Sequence, residues 1–544
     1  MRTILVKSGT IVDGSGEKAF SGHLLIRDDT IESIFQKQDA LPDADMVIDA
    51  DGDVVSPGFI DMHSHSDWNL PLSNHPETLK CLPEQGVTTI VGGNCGVSPA
   101  PVKQEKTRLL DNFTSMMLDE PLEYRWESIA DFLAAMDTAK PVVNMAQLAG
   151  HASIRYAAAE KERGPLAKHE LQACLDLTER SLQEGACGLS FGLGYDPGMY
   201  SPVDELEAFC KVAARADKTV TVHLKALSRI SPCYPVTCLK PHNLRALKEM
   251  IDIAKATGIK LQLSHFIFVG RNSWSTYREA LDMVDAARKE GVDVMIDAFP
   301  YTCGNTTILV PFPYWFLKTL PGGYDSRFAI ARLRLELELG FRLVGFLYKD
   351  FQVMDAGVAG YENLNGLTIE EIARKWNTSS FQAMLKLSRE SNGAALMLFH
   401  TYSGDPGFEK PLDAVLTHDL CLYETDAIIK NTGHPNPAGM GTFPKLLGSY
   451  VRDKKQLSLE TAVNRMTHAS ALRFGLKKQG LLKPGMAADI VIFDPETISD
   501  SPPVGANPAG KPRGIKHVFI NGVQTVKNGD YIPEARAGKP IRVA

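Results

Sequence analysis

The 544-residue chain lacks most of the features that would place it in a class at once. No run of lysine and arginine stands out, and 58 basic side chains against 65 acidic ones leave a net charge of only -7, so nucleic acid is not an expected partner. The opening "MRTILVKSGTIVDGSG" has no apolar core of signal-peptide length, and no later run is long enough to cross a membrane. A cytoplasmic protein without a membrane partner is the expectation. Cysteine is sparse and unpatterned: nine residues, an odd number, with no framework spacing, which predicts reduced thiols rather than a disulfide scaffold. Low-complexity segments and sequence repeats are absent too. What remains is 44% hydrophobic and 23% charged with 32 prolines, the balance of a globular protein too long for one ordinary core.

The two ends resemble each other and differ from the middle. Residues 1–56 alternate short β-type runs ("TILVKSGTIV", "GHLLIRDDTIESIF", "DMVIDADGDVV") with Gly and Asp turns, and residues 471–544 repeat the style in "GMAADIVIFDP" and "KHVFINGVQTVKNG". A small antiparallel β-domain, a sandwich built from both termini, is expected. Residues 57–470 alternate strand-like and helix-like segments, with candidate strands around Val55, at "VTTIV", "VVNMAQL", "CGLSF", "VTVHL", "KLQLSH", "DVMIDAF" and "LCLYETD". Eight such strands predict an α/β fold of the TIM-type (β/α)8 class. The seventh and eighth are far apart, so residues of about 303–412 are expected to form an insertion over the barrel mouth.

Chemistry in such a barrel collects at the C-terminal ends of the strands. There the sequence places His63 and His65, then Cys95 in "GGNCG", His223, His265 and Asp426. Singly, each has an ordinary explanation: solvated surface for the His-x-His, packing for the cysteine, an N-cap for the aspartate. Together at one rim they form a donor set of the kind zinc prefers. A serine nucleophile has no comparable support, since "GLSFG" lacks the Gly-x-Ser-x-Gly spacing.

The His-x-His, the late histidines, the eighth-strand aspartate and the split β-domain resemble the amidohydrolase superfamily. The segments "GGNCG", "GHASIR", "SFGLGYDPGMYSPVDEL", "GTFPKLLGSYVR" and "GMAADIVIFDP" are similar to its N-acyl-D-amino-acid deacylase (D-aminoacylase) branch, from about residue 3 to about 530. The resemblance implies one or two zinc ions, the tight one on Cys95, His223 and His265 and the second on His63 and His65. It also implies Asp426 as general acid/base in hydrolysis of a small-molecule amide, with Tyr195, Lys225, Tyr301 and Asn436 facing substrate. A homo-oligomer is compatible with it.

Two departures bear on substrate. The branch carries a lysine two residues after the sixth-strand histidine and an arginine in "His-Pro-Arg", both of which hold the substrate carboxylate. This chain has Ile267 and Asn436 at those places, and Lys225 is the remaining candidate cation. The expectation is therefore an amide without an α-carboxylate, cyclic or neutral, in competition with a conventional N-acyl-D-amino acid. A catalytically silent scaffold of the same fold is the alternative from another class. The segment at residues 229–241, with Cys233 and Cys238, reads as an addition at the barrel mouth.

Overall fold

The computed structural model describes residues 2–160, 163–235, 240–502 and 510–543. Eight parallel strands form its centre: β1 (Phe59–Asp61), β2 (Val87–Gly92), β3 (Asn144–Gly150), β4 (Gly188–Gly192), β5 (Thr219–His223), β6 (Lys260–Leu263), β7 (Val294–Ala298) and β8 (Cys421–Tyr423). They pair in chain order from β1 to β8. Every residue of β2, β3 and β4 is buried, because helices cover one side of the sheet and the barrel interior the other. The helix His242–Thr257 shows how the cover is made, burying Leu244, Leu247, Ile251 and Ala254 at three- and four-residue spacing.

Among the described residues no ladder joins β8 to β1, and side chains and loop backbone bridge the gap. The Asp426 N–H donates to the His63 carbonyl at 3.0 Å. The N–H and hydroxyl of Thr425 donate to the Asp61 carboxylate at 2.9 and 2.7 Å. Closure of the barrel thus ties together the two segments that carry His63 and Asp426.

The run around Val55, expected as the first barrel strand, belongs instead to the flanking sheet. Val54–Pro57 pairs antiparallel with Ile490–Phe493, and there the two ends of the chain meet. Gly58 separates this strand from β1, and a Cβ on it would lie 2.1 Å from the Thr88 hydroxyl, so the short break needs glycine. In sequence the two strands read as one. The sheet has nine strands and is mixed rather than wholly antiparallel, since Thr3–Ile11 runs parallel to both Met46–Asp49 and Val54–Pro57.

Between β7 and β8 the insertion folds around its own three-stranded antiparallel sheet, Cys303–Thr307, Phe351–Asp355 and Leu396–His400. Its separate apolar core includes Phe316, Leu333, Leu337, Phe351 and Phe399, and the loop after β6 contributes Ile267 and Val269 to it. The "GHASIR" segment has a structural part to play. Arg155 and His151 reach the Glu205 carboxylate at 2.6 and 3.1 Å, a buried cluster that fastens the helix after β3 to the helix after β4.

Candidate functional site

The strand ends bring the predicted set together. The Cys95 thiol sulfur lies 3.3 Å from Nε2 of His63, 3.7 Å from Nδ1 of His223 and 3.5 Å from Nε2 of His265. Oδ1 of Asp426 lies 3.2 Å from Nε2 of His65 and 3.4 Å from Nε2 of His63. A tetrahedron with ligand bonds of about 2.0–2.3 Å has edges of roughly 3.3–3.8 Å, so these donor separations fit a transition metal. Two overlapping groups result, His63/His65/Cys95/Asp426 and Cys95/His223/His265.

The charges fit as well. Burial alone would raise the Cys95 thiol, but His63, His223 and His265 outweigh it and hold it well below its usual value, which favours the thiolate a metal requires. For Asp426, burial is likewise outweighed by His265 and His65, and the carboxyl is held low. The carboxylate form is thereby favoured.

The backbone is bent to aim these groups. Cys95, His265 and Asp426 all have positive φ, at 54, 33 and 45°, a conformation uncommon for residues with a Cβ. Such strain persists where the surroundings over-determine it, and it concentrates at functional sites. Around Cys95 the surroundings are explicit. Gly93 and Gly96 both have φ of +76°, and a Cβ on either would strike the backbone of β3 or β4, at Leu148 and Gly192. The intervening Asn94 donates to the Val91 carbonyl at 2.9 Å, and Tyr195 donates to the Cys95 carbonyl at 2.6 Å.

Sequence reasoning missed the buried carboxylates beneath the histidine and cysteine cluster. Nδ1 of His63 faces Glu424 at 3.5 Å and Asp297 at 3.8 Å, ion-pair rather than hydrogen-bond distances. Asp297 also accepts from the His265 backbone N–H at 2.6 Å and from Gln262 at 2.7 Å. The chain does carry a signal for them: an aspartate inside the otherwise apolar "VMIDA", and a glutamate two residues before Asp426. A ring proton on Nδ1 has carboxylates to meet, which leaves the Nε2 lone pair for the metal side; partners of this kind tune a ligand's basicity and orientation. Glu424→Gln should accordingly lower metal affinity by about 10–100-fold, measured by competition with a chelator, with the fold's melting temperature as control. An unchanged affinity would leave Asp297 as the sole orienting group.

The residues expected to face substrate are distributed less simply. Tyr195 commits its hydroxyl to Cys95 and sets its ring edge against His223, with centroids 5.0 Å apart. Tyr301 donates to Asp500 at 2.8 Å, and the Lys445 ammonium lies 4.0 Å over its ring. Asn436 caps the helix Pro437–Lys445, accepting from Ala438 at 2.9 Å, and donates to Asn305. Lys225 turns away, 5.6 Å over the ring of Tyr234 and beside a small cavity lined by Leu206, Met250 and Ile253 on the helix side of the barrel. Ile267 is buried in the core of the insertion. Cys233 is partly exposed, and Cys238 lies outside the described residues.

Tyr402, which the sequence did not single out, is delivered by the insertion. The turn holding it has φ of 83° at Thr401 and 57° at Ser403, a costly conformation for a β-branched residue. Burial, with Asp426 adding to it, pushes its phenol upward.

An eight-stranded parallel barrel with this histidine, cysteine and aspartate set at its strand ends defines a metal-dependent hydrolase of carbon–nitrogen amide bonds. The comparisons agree with that class: the pattern of the Amidohydrolase family matches residues 46–303 and 417–530, and the chain belongs to that family. It is 30% identical over 520 residues, 95% of this chain and 93% of the relative, to a D-aminoacylase of Alcaligenes xylosoxydans xylosoxydans. It superposes with a TM-score of 0.79 and 28% identity on N-acyl-D-glutamate deacylase of Bordetella bronchiseptica, crystallised with zinc and a phosphonate mimic of the tetrahedral intermediate, covering 99% of both chains. A D-aminoacylase structure concerned with the functional role of its binuclear metal centre gives a TM-score of 0.78 at 27% identity, again over 99% of both chains. No described helix is long and apolar enough to cross a membrane.

Proposed function

We propose that the protein is a zinc amidohydrolase whose best substrates are amides without a free α-carboxylate beside the scissile bond. The carrying observation is the convergence of Cys95 with three imidazoles, a soft and compact donor set that suits zinc better than harder cations. Cys95, His223 and His265 would hold the first ion, and His63 and His65 would hold a second. Zinc bound there supplies Lewis-acid polarisation of the amide carbonyl and lowers the pKa of water. Asp426, the ionised carboxylate between His63 and His65, accepts the proton of the attacking water and then delivers it to the departing nitrogen. Amines leave poorly unless protonated, so one carboxylate serves both steps. The Asp426 N–H, bonded to the His63 carbonyl at 3.0 Å, holds that carboxylate beside the two imidazoles despite the strained backbone.

Substrate choice rests on where the cations are. A carboxylate taken into a pocket is costly without a cationic or multiply hydrogen-bonded partner. Ile267 is packed in the insertion, Asn436 is a helix cap, Lys225 lies over Tyr234, and Lys430 sits between Asp119 and Asp355 at 3.5 and 3.4 Å. The conventional reading, an N-acyl-D-amino acid, is favoured by the deacylases the chain resembles and by Lys445 beside Tyr301. Burial lowers the Lys445 pKa against the opposing pull of Asp500 and Glu409. The test compares kcat/KM for an N-acyl-D-amino acid with that for its neutral carboxamide and a cyclic amide of similar size. The neutral compounds should lead by about 10-fold or more, the scale of one unpaired buried polar group. A preference for the free acid that Lys445→Met abolishes would restore the conventional reading.

A further inference from the structure

The longest helix of the insertion, Arg327–Val344, is apolar on two sides. One side enters the core through Leu333, Leu337 and Phe341. The other presents Phe328, Ala331, Leu335, Leu339 and Leu343 at spacings of three, four, four and four residues, and these are exposed. Phe328 is 81% exposed, Leu335 69% and Leu339 55%, extreme values for large apolar side chains on a stripe that runs about 22 Å along the helix to Leu343. Scattered exposed leucines need no explanation, but a contiguous apolar stripe rimmed by charge marks an interaction surface.

The stripe is self-complementary. We propose that it is the dimer interface of this protein, covered by the same helix of a second copy running antiparallel about a two-fold axis at Leu335. Around that axis each residue meets the one equally far along on the other side. Leu335 then meets Leu335 of the second copy, Ala331 meets Leu339, and Phe328 meets Arg342. The small Ala331 side chain opposite Leu339 lets the helices approach. Charge follows the same symmetry: Arg332 meets Glu338, Arg334 meets Glu336, and no like charges coincide. A parallel arrangement would instead set each arginine and each glutamate against its own copy, which is destabilising. Within one protomer the same four side chains already pair along the helix, Arg332 with Glu336 at 2.7 Å and Arg334 with Glu338 at 2.9 Å, so their charged ends are arrayed beside the stripe. This pattern of size and charge favours a second copy over an unrelated partner.

The test is sedimentation velocity of the full-length protein over a range of concentrations, with three variants. The wild type should dimerise, and Leu335→Glu should raise the dimer dissociation constant by about 30-fold or more, the effect of losing a central hot spot. Its melting temperature and amide turnover should stay unchanged, because the side chain is exposed in the protomer. Under mild oxidation Leu335→Cys should form a covalent dimer. Ala331→Cys should do so only when mixed with Leu339→Cys. A wild type that remains monomeric, a dimer indifferent to Leu335→Glu, or cross-linking by Ala331→Cys alone would each overturn the proposal.

Discussion

Asp426→Asn should keep the metal and lower turnover by about 100-fold or more, the usual scale for losing a positioned acid/base. The substitution preserves size and leaves the strained backbone at φ 45° nearly unchanged, since asparagine tolerates that region as well as aspartate does. What disappears is a carboxylate that can hold a proton between attack and departure. Its position suits that role, because Oδ1 is within 3.4 Å of both His63 and His65, and the side chain is 17% exposed where those of His63 and Glu424 are 1 and 0%. It is thus the acid of the cluster that opens toward the mouth. Steady-state kinetics on metal-quantified protein checks the expectation. Comparable kcat at full occupancy would assign the proton transfers to another group.

Cys95→Ala should remove the first-site metal and, with it, activity. The sulfur lies within 3.7 Å of three imidazole nitrogens, so its loss removes the centre of the set rather than an edge. It also leaves His223 and His265 with no soft partner, and two imidazoles alone hold zinc far less firmly than a thiolate-containing set. After dialysis against chelator-treated buffer, metal content should fall to about one-tenth or less of wild type. The fold should survive, because Asn94, Tyr195 and the two glycines position the loop through its backbone. Retained metal with full activity would reduce Cys95 to a packing residue.

These two residues are legible in the sequence, as are the barrel and the four histidines, because each follows a run whose apolar continuity announces a buried parallel strand. The split of "VVSPGFID" into two strands of different sheets is not. Pro57 and Gly58 mark it, but nothing local says that residues 54–57 pair with residues 490–493. The carboxylates at Asp297 and Glu424 escape notice for a related reason: a charged residue inside an apolar strand reads as an interruption until the barrel brings it under His63. Lys225 is the opposite case. It follows His223 by two residues, which suggests the same face, yet the strand ends at His223 and the alternation does not carry on into the loop.

One measurement bears most directly on the claim of a zinc amidohydrolase: protein stripped of metal is titrated with zinc, and amine release from a neutral amide is followed against bound zinc per chain. Hydrolysis should be absent without metal and rise in proportion to occupancy of the first site, reaching its full rate at about one ion per chain. Stripped protein that hydrolyses the amide at the wild-type rate, or zinc-loaded protein that binds the ion stoichiometrically and releases no amine from any amide tried, would contradict it.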